Sequence, residues 1–276
     1  MNHNNVNDFI PLFNLKDTVA VITGGSRGIG RSIAIRLAQH GAKVVVSSRN
    51  FNSCNDVVKT IQSIGGDATA VTCDISQKDQ LQELVDKTIK VYGKIDNLIC
   101  NAAVNSFIGP PSKTSDEDYE HVMGINVRSN FWLCNMVVPI MKSQGKGNII
   151  IISSISGFLG SQHLGVYSMS KATTLQLVKN LAVELGEYNI RANCIAPGLI
   201  KTDFSQAVLD DPNLVNKHIL RTPLGRIGEP DEIAGAAVFL SSKAGSYITG
   251  QTIIIDGGRL SGSYLSTKTL LTQINK

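Results

Sequence analysis

Val19-Ala20-Val21-Ile22-Thr23-Gly24-Gly25-Ser26-Arg27-Gly28-Ile29-Gly30 runs from an apolar, β-branched stretch straight into a glycine-rich turn, and a helical stripe of Ile29, Ile33 and Leu37 follows. Strand, tight turn and helix start, in that order, make a seat for a phosphate. Glycine lets the backbone come close, and the helix end offers unpaired N–H groups with a partial positive charge. The spacing Gly24, Gly28, Gly30 differs from the common G-x-G-x-x-G. A strand-to-helix turn without a ligand is the competing reading. Its position directly after the first strand favours a nucleotide.

Six more short apolar runs follow: Val44-Val45-Val46, Thr69-Ala70-Val71, Asn97-Leu98-Ile99, Asn148-Ile149-Ile150-Ile151-Ile152, Ala192-Asn193-Cys194-Ile195 and Ile253-Ile254-Ile255. They are continuous rather than alternating, as for parallel strands covered on both faces. Helical stripes such as Leu81, Leu84, Val85 and Thr88 lie between them. The repetition predicts an α/β fold: a single doubly wound parallel sheet, Rossmann-type, of about seven strands with helices on both faces. No repeat, linker or composition break divides the chain. Residues 15–258 are therefore expected to form one domain, between an N-terminal extension (1–14) and a polar C-terminal tail (259–276). The stretch 199–228 interrupts the alternation, and such folds place substrate-facing loops there.

Hydrophobic residues make up 42% of the 276 and charged residues 17%, enough apolar material for a sizeable core. The net charge of +4 comes from scattered basic residues, which argues against nucleic acid as a partner. Cys54, Cys73, Cys100, Cys134 and Cys194 lie far apart without a C-x-x-C pair, and read as buried thiols in a reducing compartment. His121, His163 and His218 lack paired spacing, so no metal is expected. No apolar run is long enough to cross a membrane, and Met1 to Asp8 lacks the regions of a signal peptide. The last residues match no retention or lipidation signal. A cytoplasmic protein is the expectation.

The second strand ends in Ser47-Ser48-Arg49, without the carboxylate that usually binds the ribose 2′-hydroxyl of NAD. An arginine there can pair bidentately with a 2′-phosphate, and Arg27 in the glycine loop can reach the same region. Both features favour NADPH/NADP+ over NADH. A solvated loop arginine is the plainer alternative for Arg49, weakened by the missing acid.

Later stretches add Asn101-Ala102-Ala103 after the fourth strand, then Asn126, Ser154, Tyr167-Ser168-Met169-Ser170-Lys171, Pro197 to Thr202, and Asp256-Gly257-Gly258. Together with the glycine loop they make the chain resemble the short-chain dehydrogenase/reductase family, from about Leu15 to Gly258. Within the family it resembles the branch of NADPH-dependent carbonyl reductases and 3-oxoacyl-carrier-protein reductases. The resemblance implies cofactor contacts from Gly24, Ser26, Arg27, Gly28, Ile29 and Gly30, and from Ser48 and Arg49. It implies an adenine contact from Asp74 and Ile75, and further cofactor contacts from Asn101, Ala102, Tyr167 and Lys171. Pro197, Gly198, Ile200 and Thr202 would belong to the loop that folds over the nicotinamide. The implied catalytic set is Asn126, Ser154, Tyr167 and Lys171, with Ser154, His163 and Tyr167 meeting the substrate. Ala103 stands where the family usually has glycine, so the backbone there must avoid a glycine-only conformation or alter its contact. Relatives also imply a homotetramer, with the helix carrying Phe131, Trp132, Leu133 and Met136 near a subunit contact.

Reducing a carbonyl takes a hydride at carbon and a proton at oxygen. A phenol has a pKa of about 10, so unaided it is a sluggish proton shuttle near neutrality. Lys171, four residues on, lies on the same helix face as Tyr167. Its charge, with that of an oxidised nicotinamide, is expected to lower the phenol's pKa. Ser154 can donate to the carbonyl oxygen as charge develops there, with Ser153 as its rival. For Asn126, a helix-surface position is the alternative.

The expected function is NADPH-dependent reduction of a ketone or aldehyde to an alcohol, with Tyr167 as proton donor and a small-molecule carbonyl as substrate. A 3-oxoacyl-carrier-protein reductase is the alternative. It calls for a basic patch at the site mouth, for which Arg128 and Lys201 are the candidates. An NADPH-binding redox sensor without turnover comes third, disfavoured by the intact Ser154, Tyr167 and Lys171. A hydrolase built on Ser154 and His163 lacks a G-x-S-x-G elbow.

Overall fold

The computed structural model describes residues 12–262. The strands are β1 (Val19–Thr23), β2 (Lys43–Ser48), β3 (Ala68–Thr72), β4 (Asn97–Cys100), β5 (Gly147–Ile152), β6 (Ile190–Pro197) and β7 (Thr252–Ile255). They form one parallel sheet in the order β3-β2-β1-β4-β5-β6-β7. Each apolar run singled out in the sequence lies inside a strand.

The helices are α1 (Gly28–Gln39), α2 (Phe51–Ser63), α3 (Lys78–Tyr92), α4 (Asp116–Met123), α5 (Ser129–Gln144), α6 (Gly165–Leu185), α7 (Gln206–Leu209), α8 (Pro212–Ile219) and α9 (Pro230–Ser241). They divide between the two faces. Ala20, Ile22, Val44, Val46, Ile150 and Ile152 pack against α1, α2 and α9. Their strand neighbours Val21, Val45, Ile149 and Ile151 pack against α3, α5 and α6. Successive side chains on a strand point to opposite faces, so a sheet covered twice needs apolar residues at every position. That is the physical origin of the unbroken runs.

From β1 the chain builds outward through β2 and β3, then returns to lay β4 on the other side of β1. The loops leaving β1 and β4 therefore diverge, and the crevice between them is where folds of this kind take a ligand. The loops after β5 and β6 emerge at the same edge. α7 and α8 lie within the long stretch after β6, and neither contains a buried residue. Leu15 is buried and its N–H donates to the His40 carbonyl (2.8 Å), tying the entry segment to the end of α1. Residues 1–11 of the expected extension and 263–276 of the expected tail fall outside the described residues.

Candidate active site

The glycine loop is shaped by backbone needs. Gly24 and Gly28 adopt φ values of +63° and +53°, which side chains disfavour. A Cβ at Gly30 would overlap the Gly24 carbonyl oxygen and press on the Asn101 amide. Asn101, just past β4, fastens this loop: its Nδ2 donates to the carbonyls of Thr23 and Gly24, each at 3.0 Å. The Thr23 hydroxyl in turn accepts from the backbone N–H groups of Asn101 (3.1 Å) and Ala102 (3.2 Å). Arg27 caps α1 without a side-chain cap bond, and the first turn holds no acid. The helix's free N–H groups and its dipole are thus left to an anion. A cradle that a Cβ would fill, facing a bare helix start, fits a pyrophosphate. Ala103 carries no positive φ, since Asp17 and Asn189 are the non-glycine residues that do among the described residues. The departure from glycine there brings no backbone strain.

At the end of β2, Ser48 shares a hydrogen bond with Cys54 Sγ (3.0 Å), while Arg49 is exposed and forms no ion pair among the described residues. Arg27 reaches the other way, to Asp203 Oδ2 at 3.4 Å, beyond β6. Asp74 is half-buried: its Oδ1 accepts from the Ser76 N–H (3.0 Å) and its own N–H donates to Gln80 Oε1 (2.7 Å). Ile75 beside it is buried.

The candidate catalytic residues converge beyond β5. Ser153 is buried and commits its hydroxyl to the Lys171 carbonyl (3.0 Å), while Thr174 Oγ1 donates to it (3.1 Å). Ser154, half-buried, accepts from the Ser156 N–H (3.1 Å) and lies against the Tyr167 phenol. Geometry thus separates the two rival serines. Lys171 is 2% exposed, donates from Nζ to the Ile152 carbonyl (2.9 Å) and lies 5.5 Å from the Tyr167 ring centre. Burial lowers its ammonium to about 8.

The Tyr167 phenol departs from the expectation of a lowered pKa. Burial pushes it up to about 12, offset in part by the Ser154 hydroxyl. Within the protein itself, the cost of burying a phenolate outweighs the help from the Ser154 hydrogen bond.

Asn126 is fully buried, not on a helix surface. It sits in a π-helical turn, Gly124–Arg128, between α4 and α5. Its side chain accepts from the Val104 N–H and donates to the Val104 carbonyl (2.9 Å each) and to Ser170 Oγ (3.0 Å). Ser170 Oγ then donates to the Tyr167 carbonyl (2.7 Å). Ser170 is a further member, at a position that in the sequence is only a spacer between Tyr167 and Lys171, although its offset of three from Tyr167 points it back at that turn.

Pro197 and Ile200 are buried, and Gly198 donates to the Ile255 carbonyl (2.8 Å). Thr202 approaches the glycine loop so closely that a Cβ on Gly28 would lie 3.1 Å from its Cγ2. Two residues on, the Phe204 ring lies 6.0 Å from that of Tyr167, centre to centre. His163 is exposed, and its carbonyl accepts from the Gly109 N–H (3.0 Å), joining the loops after β4 and β5. Of the two candidate basic residues, Arg128 stacks over Trp132 at 5.2 Å, and Lys201 is exposed. Among the described residues no cluster of metal-ligating side chains occurs.

A family model described as Enoyl-(Acyl carrier protein) reductase matches residues 24–259. Dehydrogenase/reductase SDR family member 4 of Bos taurus is 41% identical over 247 residues, covering 90% of this chain and 88% of the relative. The chain belongs to the short-chain dehydrogenase/reductase family. A tropinone reductase homolog of Arabidopsis thaliana is 38% identical over 247 residues, 89% of this chain and 93% of its own. Among solved members of the short-chain dehydrogenase/reductase family, a 7α-hydroxysteroid dehydrogenase complexed with NADH and 7-oxo glycochenodeoxycholic acid superposes with a TM-score of 0.86. It shares 39% identity over 92% of this chain and 97% of its own. A gluconate 5-dehydrogenase from Burkholderia cenocepacia, in complex with NADP and tartrate, gives 0.87 at 32% identity, over 91% and 98%. Membership makes the protein an oxidoreductase that uses a nicotinamide cofactor on a small-molecule carbonyl or alcohol group. Among the described residues no helix is long and apolar enough to cross a membrane.

Proposed function

We propose that this chain uses NADPH to reduce a ketone or aldehyde to an alcohol, with Tyr167 as the proton donor. The observation that carries the reading is the half-buried Tyr167 phenol lying against Ser154, with the buried Lys171 ammonium 5.5 Å from its ring. This group stands at the same sheet edge as the glycine cradle. In the proposed complex Gly24, Ser26, Gly28, Ile29 and Gly30 hold the pyrophosphate at the α1 start, and Asp74 and Ile75 meet the adenine. Asn101, Ala102, Pro197, Gly198, Ile200 and Thr202 line the nicotinamide end. Relatives of similar fold carry NADH in one case and NADP in another, so membership alone does not choose. The choice of NADPH rests on Arg49, Ser48 and Arg27, and on the absence of a carboxylate after β2.

When bound, the reduced nicotinamide supplies a hydride to the carbonyl carbon. Ser154 donates a hydrogen bond to the carbonyl oxygen, strengthening as negative charge grows there. Tyr167, with a phenol at about 12, is protonated throughout the neutral range and so holds the proton that reduction consumes. The Lys171 ammonium, anchored by the Ile152 carbonyl, stabilises the phenolate left behind. Asn126 holds the segment after β4 in place through Val104, and steadies the Tyr167 turn through Ser170. The same reading makes 15–258 the oxidoreductase domain. It places the enzyme in the cytoplasm as a homotetramer, with half-exposed Phe131 on α5 as a candidate subunit contact.

The test is NADPH oxidation against a panel of ketones and aldehydes. Tyr167→Phe is expected to lose about a thousandfold in kcat, within the usual range for a proton donor. NADPH binding, followed by its fluorescence, should stay within about twofold. Turnover that survives in Tyr167→Phe removes the tyrosine from the role.

A further inference from the structure

The substrate itself can be narrowed, on the footing of the carbonyl-reductase reading above. Three loops leave adjacent strands at the edge that carries Tyr167. The loop after β4 runs through Val104-Asn105-Ser106-Phe107-Ile108-Gly109-Pro110 before reaching Lys113, and the loop after β5 reads Ile155-Ser156-Gly157-Phe158-Leu159-Gly160-Ser161-Gln162-His163-Leu164. Neither of these two segments contains an Asp, Glu, Lys or Arg, in a chain where those residues make up 17%. A loop at the surface is normally polar, because its backbone must be solvated and its side chains meet water. Here the surface positions are instead taken by large apolar groups: Ile108 is 67% exposed, Phe158 46% and Leu159 44%.

The two loops are also joined. Gly109 and Leu164 pair as an isolated parallel bridge, and Gly109 donates to the His163 carbonyl. They form one apolar rim beside Ser154 rather than two independent tips. The third loop brings Phe204, whose ring is 56% exposed yet stands 6.0 Å from the Tyr167 ring, tilted by 39°. Phe204 follows Thr202 and Asp203, which lie against the glycine loop, so its position is set from the cofactor side. Of the charges next to Phe204 in the chain, Asp203 is engaged by Arg27, and Lys201 is exposed.

We infer that the substrate is an uncharged, bulky apolar ketone, ring-containing, whose carbonyl reaches Ser154 and Tyr167 while its hydrocarbon body lies against Phe204 and the uncharged rim. The argument is one of matching. Exposed apolar area beside a reactive hydroxyl pair rewards a ligand that covers it, and aromatic faces favour rigid, flat hydrocarbon. A sugar acid needs charged or hydrogen-bonding partners for its carboxylate and hydroxyls, and an acidic carrier protein needs a cluster of cations at the mouth. The loop after β5, which carries Ser154, provides no cation, and the loops after β4 and before α7 offer one exposed lysine each, Lys113 and Lys201, rather than a cluster. Phe204 is assigned as a specificity-determining residue.

The experiment compares 2-decalone, 5-ketogluconate, an acetoacetyl thioester and the small dicarbonyl butanedione, with the full chain and NADPH. The expected order puts 2-decalone above 5-ketogluconate and the thioester by at least about tenfold in kcat/KM. Phe204→Ala should lower kcat/KM for 2-decalone by about tenfold, mostly through KM, with butanedione within about twofold. Phe204→Leu, which keeps apolar area without the ring, should fall between. A preference for the keto acid or the thioester overturns the inference, as does an equal loss on decalone and butanedione. Absence of turnover on every carbonyl would instead strike the carbonyl-reductase reading. In that case calorimetric titration of 2-decalone onto the NADPH-loaded chain decides: binding weakened by Phe204→Ala upholds the apolar mouth, and no binding overturns it.

Discussion

The glycine loop and the stretch after β6 meet at the same site but are held by different means. Around the glycine loop, Thr23, Gly24, Gly30 and Asn101 are fixed by backbone conformation and by partly buried hydrogen bonds of 3.0–3.2 Å. After β6, neither α7 nor α8 has a buried residue, and besides the approach of Thr202 to Gly28 the stretch reaches the glycine loop through an ion pair of side chains 72% and 67% exposed. Such a pair contributes on the order of 0.5 kcal/mol at most. The difference teaches a division of labour. What every family member must bind is recognised by backbone that admits almost no substitution. On the proposed reading, what distinguishes one substrate from another is left to side chains outside the core.

The comparison breaks most readily at Gly30. Alanine there would place its methyl on the Gly24 carbonyl oxygen, inside a helix and against Asn101, none of which can shift alone. Overpacking of this kind costs roughly 3 kcal/mol, lowering the melting temperature by about 10 °C in a domain of this size. NADPH affinity should fall at least about a hundredfold, because the cradle itself is displaced. Normal melting and normal cofactor affinity in Gly30→Ala would end the claim that backbone fit governs this half.

The same division explains what the sequence makes legible. Strands β1 to β7 could be read because each is buried on both faces, and a doubly covered strand leaves an unbroken apolar run. The glycine loop could be read because its conformational demand selects a residue type. Tyr167 and Lys171 could be read because four residues bring two side chains onto one helix face. Phe204 is different: its importance comes from a 6.0 Å approach to a residue 37 positions earlier, and one phenylalanine on an irregular stretch carries no periodic mark. Ser170 likewise fills a spacer position, and its bond to Asn126 spans 44 residues. The raised phenol pKa was hidden for a similar reason. Burial is a property of the assembled site, whereas charge could be read from the letters.

Helix α6 carries Tyr167 and Lys171, and its lysine sharpens the contrast by acting against stability. Lys171 titrates at about 8 in the fold, against 10.5 for a free lysine. Below pH 8 the folded chain carries this charge buried while the unfolded chain carries it in water, so the full destabilisation is present there. It fades as the pH rises from about 8 to 10.5, where the unfolded chain binds the extra proton. Tyr167 acts in the opposite sense at higher pH. Its phenol is raised from 10 to about 12, so stability falls from pH 10 upward as the unfolded chain ionises first. Lys171→Met is therefore expected to abolish turnover yet stabilise the fold at pH 7 by roughly 2 kcal/mol, less whatever the unpaired Ile152 carbonyl costs. Urea unfolding at pH 7 and pH 9.5 checks it: the wild type should gain stability between them, and the variant should not. A variant less stable than wild type at pH 7 would mean that the ammonium's bond to Ile152 outweighs its burial.

The smallest expected effect concerns Arg49, the exposed side chain on which the proposed preference for NADPH rests. Arg49 has no carboxylate partner among the described residues, so a 2′-phosphate would not have to displace one. Arg27 does have a partner, Asp203. The two arginines should therefore answer differently. Arg49→Ala is expected to weaken NADPH binding by about tenfold and NADH by less than about twofold, with the gap narrowing at high salt because the site is exposed. Asp203→Asn frees Arg27 and should tighten NADPH slightly, by less than about threefold, without a measurable change in melting temperature. Equal weakening of both cofactors by Arg49→Ala would show that the end of β2 reads the ribose or the adenine rather than the phosphate. Selectivity would then have to lie in backbone, and the division between a backbone-built half and a side-chain-built half would run between cofactor and substrate without exception.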